Sequence, residues 1–206
     1  MQAVAYAPEP EAKPKRKIPE SLVYEIMDGQ PVYRRGYRSV LNKTKTLDDI
    51  MGSSTLQSEL HLYLFSLLIR HFDDRKFAIY ANEAGLHLSK HNNLAGDIFV
   101  YDRRAMTPEN INKFYSTVPP LLAFEIDVKA ELEKESDIRY IHRKTKKLLD
   151  FGVQKVFWVI TDAQKVIMAE AGNAAILLMD WSENIEIQPG LSFNIGQYLA
   201  SKGIHP

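Results

Sequence analysis

Leu121-Leu122-Ala123-Phe124-Glu125-Ile126-Asp127-Val128-Lys129 is an apolar run entered from Pro119-Pro120, the pattern of a buried strand leaving a loop. Side chains alternate faces along a strand. On that rule Leu122, Phe124, Ile126 and Val128 point one way, and Glu125, Asp127 and Lys129 the other. Same-face positions lie about 6–7 Å apart, so two carboxylates and an ammonium are expected in one row. Charges carried into a mostly buried sheet need partners or a metal. A salt-bridge ladder would satisfy them too, and these residues alone leave both readings open.

The flanking patterns place this run inside a mixed sheet. Upstream, Ala95-Gly96-Asp97-Ile98-Phe99-Val100 opens an apolar strand with Asp97 at its mouth. It follows a strand from Phe77 to Leu88 and a turn at His91-Asn92-Asn93. A short polar helix is expected through Asn112. Downstream, residues 137–151 read as a helix with Ile138, Ile141, Leu148 and Leu149 as its apolar stripe and Gly152 as its stop. Residues 156–160, Val-Phe-Trp-Val-Ile, suit a strand buried on both faces. Strands near 166–169, 176–179 and 185–187 and a helix near 195–200 complete the pattern.

Nearer the N-terminus, Asp28-Gly29 between two alternating segments predicts a hairpin. The next stretch carries Arg34, Arg35, Arg38, Lys43 and Lys45 and reads as a solvated loop, with a phosphate-facing flap as the alternative. Ser54 and Gln57 have capping-box spacing. Leu56, Leu60, Tyr63, Leu64, Leu67 and Leu68 then mark a helix that fades by Asp73. Residues 1–20 lack periodicity and are expected to form a flexible arm; residues 21–206 are expected to form one domain. The order of elements implies an α/β class: a mixed β-sheet flanked by helices, with an N-terminal β-hairpin.

Composition bounds the chemistry. The chain has 206 residues, 45% hydrophobic and 25% charged, ordinary for a globular protein. The absence of cysteine excludes disulfides, thiol nucleophiles and thiolate metal sites. No apolar run is long enough to span a membrane, and no signal-peptide core is visible, so a cytoplasmic location is expected. Twenty-six basic and 26 acidic residues cancel, which argues against non-specific coating of nucleic acid but not against a local basic groove. The six histidines show no zinc-type spacing.

If the strands carrying Asp97 and Glu125 are neighbours, then Asp97, Glu125 and Asp127 could converge on a hard divalent cation. Mg²⁺ takes one or two carboxylates plus waters and leaves room for phosphate oxygens. Lys129 would stand at the rim, and a metal-activated water attacking a phosphodiester is the natural reaction.

Asp97 followed by Glu125-Ile126-Asp127-Val128-Lys129 resembles the PD-(D/E)XK pattern of restriction-endonuclease-like nucleases. The chain is more closely similar to the bacterial Uma-two family of endonuclease-like proteins. The shared features, in order, are Y-E-I-M-D-G-Q-P-V-Y at 24–33, the helix after Gly52-Ser53-Ser54, A-G-D-I-F-V at 95–100 and F-E-I-D-V-K at 124–129. They continue with K-x-x-x-L-x-x-x-G-V at 144–153, F-W-V-I at 157–160 and P-G-L-S-F at 189–193. The resemblance implies a restriction-endonuclease-like fold and a Mg²⁺-dependent DNA endonuclease, with Mn²⁺ as substitute and a homodimer as the assembly. It implies metal binding by Asp97 and Glu125, with Asp127 as second choice, and a catalytic lysine at Lys129 or at Lys144 on the following helix. Glu59 resembles a helix glutamate that some nucleases of this superfamily add to the site. Gly96 departs from the family's usual proline. The alternative is a catalytically inactive nuclease-fold module acting in DNA binding or regulation.

Overall fold

The computed structural model describes residues 18–131 and 136–206; most of the expected arm lies outside them. Strands β1 (Val23–Met27) and β2 (Gln30–Arg34) form the N-terminal hairpin. Asp28 and Gly29 both have positive φ there, as a two-residue hairpin turn requires. Long antiparallel strands β3 (Phe77–Ser89) and β4 (Asn92–Asp102) follow helix α3 (Thr55–His71). Strand β5 (Leu122–Ile126) pairs antiparallel with β4 and parallel with β7 (Lys155–Ile160). A parallel neighbour needs a crossover, and helix α4 (Asp137–Phe151) supplies it.

Strands β6 (Ala130–Glu131), β8 (Lys165–Glu170) and β9 (Ile176–Asp180) complete a mixed nine-stranded sheet. Its order is β6-β2-β1-β4-β5-β7-β8-β9, with β3 also paired to β4. A separate hairpin, β10 (Ile185–Gln188) and β11 (Leu191–Phe193), precedes helix α5 (Ile195–Ser201). Among the described residues no helix is long and apolar enough to cross a membrane.

Helices cover both faces, so the central strands are buried on two sides. On one face α4 lays Tyr140, Ile141 and Leu148 against Phe99, Ala123 and Trp158. On the other, Leu60, Leu64 and Leu68 of α3 pack with Ile98, Phe124 and Phe157, and with Trp181 beyond the sheet. The α3 capping box forms as its spacing predicts: the Ser54 hydroxyl accepts from Gln57 N, and the Gln57 side-chain oxygen accepts from Ser54 N.

Three local expectations are corrected. The basic stretch after β2 is not simply a loop but contains short helices α1 (Tyr37–Leu41) and α2 (Asp48–Met51). The polar helix near Asn112 is only a single 3₁₀ turn at Pro108–Asn110. Ile138 is 67% exposed; the buried stripe of α4 is Tyr140, Ile141, Lys144, Thr145 and Leu148.

The main correction concerns the charged row. β5 ends at Ile126, and Asp127 adopts φ +59°, a left-handed backbone that breaks strand alternation. Val128 therefore joins the α4-side core with Ala123, while Phe124 and Ile126 belong to the α3 side. Glu125, Asp127 and Lys129 do not form one row. The Asp127 carboxylate instead accepts from Thr161 N, Thr161 Oγ1 and Gln57 Nε2, each at 2.7 Å. Its own N–H donates to Val159 O at 2.9 Å. Asp127 thus ties the ends of β5 and β7 to the start of α3. Asp127→Ala should lower stability by about 2–4 kcal/mol, since Thr161 N loses its acceptor and a β-carbon remains at positive φ. Asp127→Asn, which tolerates that backbone, should lose less. Urea denaturation reads both, and an unshifted midpoint in the alanine variant would refute the clamp.

Candidate active site

Register brings Asp97 beside Glu125, because Ile98 pairs with Phe124 on antiparallel β4 and β5. Each acid has its own lysine. Lys144, fully buried, stands 2.6 Å from Glu25 Oε1 and 3.0 Å from Glu125 Oε1 and donates to Ala95 O at 2.7 Å. The Tyr24 and Trp158 rings lie 5.6 and 5.4 Å from its Nζ. Glu25 also accepts from Ala95 N at 3.1 Å and from the Tyr140 hydroxyl at 2.7 Å. Lys144 is placed there by helix periodicity: it lies three residues after Ile141 and four before Leu148.

Charge in this cluster is mutually dependent. Burial alone would discharge Lys144, but Glu125 and Glu25 outweigh it and hold its pKa above the ordinary lysine value. Burial is also the largest effect on Glu125; Lys144 offsets part of it, Asp97 and Glu25 add to it, and its pKa is pushed up to about 8. Tyr24 and Tyr140 are held well above the usual phenol value, first by burial and then by Glu25.

The second half of the site is open. Asp97 accepts from Ile126 N at 2.7 Å and from Lys129 Nζ at 2.5 Å. Lys129 also lies 3.7 Å from Glu83, which Arg34 contacts at 3.2 Å. Burial works against charge on Lys129, yet Asp97 and Glu83 outweigh it and raise its pKa. A cavity of about 440 Å³ is walled by Asp97, Lys129, Glu83, Gln57, Ser58 and His61. His61 Nε2 lies 3.4 Å from Asp97 O. A neighbouring cavity of about 640 Å³ shares Lys129, Glu83 and Gln57 with it and runs past Arg34 and Lys45 over Ile141 and Ile160.

The six anticipated residues separate accordingly. Asp97, Glu125, Lys129 and Lys144 come together. Asp127 faces Thr161 and Gln57, and Glu59 turns away to accept from the Tyr198 hydroxyl. The helix explains the latter: Gln57 and His61, four apart, face the cavity, whereas Glu59 between them projects elsewhere. Glu25, Tyr140, Glu83 and Arg34 were not anticipated. Glu25 carried a signal, being a lone acid in the apolar strand Val-Tyr-Glu-Ile-Met. Glu83 carried none, since a β-bulge turns it inward. Gly96 has a local reason: a β-carbon there would collide with the Phe99 ring and stand 3.0 Å from Glu125 Oε1.

Among the described residues no group of three His, Cys, Asp or Glu side chains is arranged to hold a metal. Two carboxylates suffice for Mg²⁺ when waters and phosphate complete the shell. The residues fit that demand. Glu125 Oε1 is buried and, although 3.0 Å from Lys144, accepts no well-aligned hydrogen bond. Glu25 and Glu125 share the single ammonium of Lys144, whereas Asp97 and Glu83 are matched by Lys129 and Arg34.

No protein-family model and no curated protein matches the chain. Its fold is similar to the crystal structure of a protein from Anabaena variabilis ATCC 29413, provisionally described as a nuclease belonging to DUF820. The TM-score is 0.60 at 15% sequence identity, over 85% of this chain and 89% of that one. The likeness establishes a shared nuclease-like α/β fold. DUF820 is of the Uma-two type, the same type that the motif order resembles.

Lys144→Met should destabilise the protein by about 3–5 kcal/mol, because Glu25 and Glu125 would lose their buried counter-charge. Adding Glu125→Gln should restore part of that loss. Thermal denaturation of the single and double variants checks both, and additive losses would refute the coupling.

Proposed function

We propose that the chain is a divalent-metal-dependent nuclease that hydrolyses phosphodiester bonds of DNA by an endonuclease-type reaction. The observation that carries this reading is the pairing of Asp97 with Glu125 on adjacent strands, each braced by its own lysine, where Asp97 opens onto a cavity. A cation held by Asp97 and Glu125, Mg²⁺ or in its place Mn²⁺, would supply Lewis acidity to a phosphoryl oxygen. Lys144 acts on Glu125, holding the carboxylate in place from behind. Lys129 reaches the cavity itself and can hold an anionic oxygen of the substrate. Ile126 N and Lys129 fix the Asp97 carboxylate between them. Hydrolysis adds the oxygen of water to phosphorus, breaks one P–O bond and returns a proton to the leaving oxygen or to solvent.

One observation favours the alternative of a nuclease fold retained for DNA binding: Glu125 and Lys144 are sealed from solvent, and neither lines the cavity. A homodimer belongs to the leading reading, and edge strand β9 leaves Ile176, Leu177 and Leu178 exposed for a second copy to cover.

Calorimetric titration with Mn²⁺ should show saturable binding that disappears in Asp97→Asn. Cleavage of plasmid and single-stranded DNA should fall by about two orders of magnitude or more in Asp97→Asn and Glu125→Gln, with unchanged circular dichroism. Equal cleavage by wild type and both variants would overturn the assignment. DNA binding without cleavage under any metal would favour the binding module.

A further inference from the structure

Glu83 occupies an unusual position. β3 slips register against β4 between Ala81 and Ala84, and the bulged residues Asn82 and Glu83 have φ of +71° and +53°. Two consecutive non-glycine residues in left-handed backbone are costly and persist where the surroundings demand them. At Glu83 the side chain this backbone turns inward is met by charge. The Glu83 carboxylate sits between the Arg34 guanidinium at 3.2 Å and the Lys129 ammonium at 3.7 Å, on the wall common to the two cavities.

Arg34 is under-used by this contact. Its side chain is 17% exposed, and its Nη2 donates to Glu83, but its buried Nε has no acceptor. The guanidinium lies 5.3 Å from the centre of the Tyr24 ring, which fixes its plane. A guanidinium fork suits the paired oxygens of a phosphate, which can engage two N–H groups together. One misaligned carboxylate leaves a buried donor unsatisfied, at a cost that a phosphate oxygen would remove.

We propose that Arg34 and Lys129 form a binding site for one phosphate of the nucleic-acid backbone, and that Glu83 is an internal anion holding this site until the substrate displaces it. The assignment deepens the phosphodiester reading above and rests on it for the identity of the ligand. It gives the hairpin strand β2 a part in substrate binding through Arg34. It also explains why a carboxylate faces a cavity that should receive polyanions: with Glu83 inward the entrance repels phosphate, and with Glu83 outward Arg34 is freed and Lys129 keeps only Asp97, while the bulge can relax. Lys129 would then stand between Asp97 and the incoming phosphate, joining the gate to the paired acids.

The test uses the full chain in metal-free buffer with EDTA, so that binding is read without cleavage. Inorganic phosphate and a short single-stranded oligodeoxynucleotide are titrated separately by calorimetry. Glu83→Gln should bind both about tenfold tighter than wild type, because the internal competitor is gone. Glu83→Gly, suited to the left-handed backbone, should do the same and guards against misfolding of the first variant. Arg34→Gln should weaken binding at least about tenfold in both the wild-type and Glu83→Gln backgrounds. Equal or weaker binding in the two Glu83 variants, or insensitivity to Arg34→Gln, would overturn the proposal. The expected binding pattern in a protein that cleaves no DNA would uphold the phosphate site and sink the nuclease reading instead.

Discussion

The burial of Lys144 between Glu25 and Glu125 is the constraint on which the rest of the structure depends. An ammonium with no exposed surface must have counter-charges and acceptors within reach. Those partners come from three separate strands: Glu25 from β1, Ala95 O from β4 and Glu125 from β5. Helix α4 is thereby locked to the sheet by charge as well as by its apolar stripe. The hairpin cannot shift without stranding Glu25, whose second oxygen is held by Tyr140 of the same helix. A hydrophobic residue at position 144 could pack the helix, but it would not select this register.

Backbone irregularities provide the second layer of organisation. The left-handed residue Asp127 ends β5 and turns the chain so that Lys129 can return to Asp97, while its own carboxylate pins β7 and α3. The bulge at Asn82 and Glu83 makes a comparable break in β3. Both breaks lie around the same pair of cavities. Strained backbone gathered at one place on a regular sheet marks where side chains have been re-aimed, and here they are re-aimed towards Arg34, Lys129 and Asp97.

These features divide the candidate site into a sealed half and an open half. In the sealed half, Glu125 and Lys144 are set by tertiary packing and line neither cavity. In the open half, Asp97, Lys129 and Glu83 meet the cavities directly. The division leaves one lysine sealed against the sheet and the other on the cavity wall, which the spacing of the two lysines in the chain does not do. The shared fold with the DUF820 protein accounts for the scaffold; the chemistry argued for this chain comes from its own side chains.

Much of this arrangement was legible in the amino-acid sequence. Asp28-Gly29 specified the hairpin turn, Ser54 and Gln57 the start of α3, and the apolar run at 156–160 a strand buried on both faces, because each is set by local backbone chemistry or periodicity. Asp97 and Glu125 stood out as acids in apolar strands. Strand alternation failed at Asp127, since a single positive φ is decided by what its carboxylate finds across the sheet, at Thr161 and Gln57. The burial of Lys144, the partnership of Glu25 and the inward turn of Glu83 were likewise left to the tertiary structure. Their partners lie tens of residues away in the chain, and a charge is buried only when such distant groups arrive to balance it.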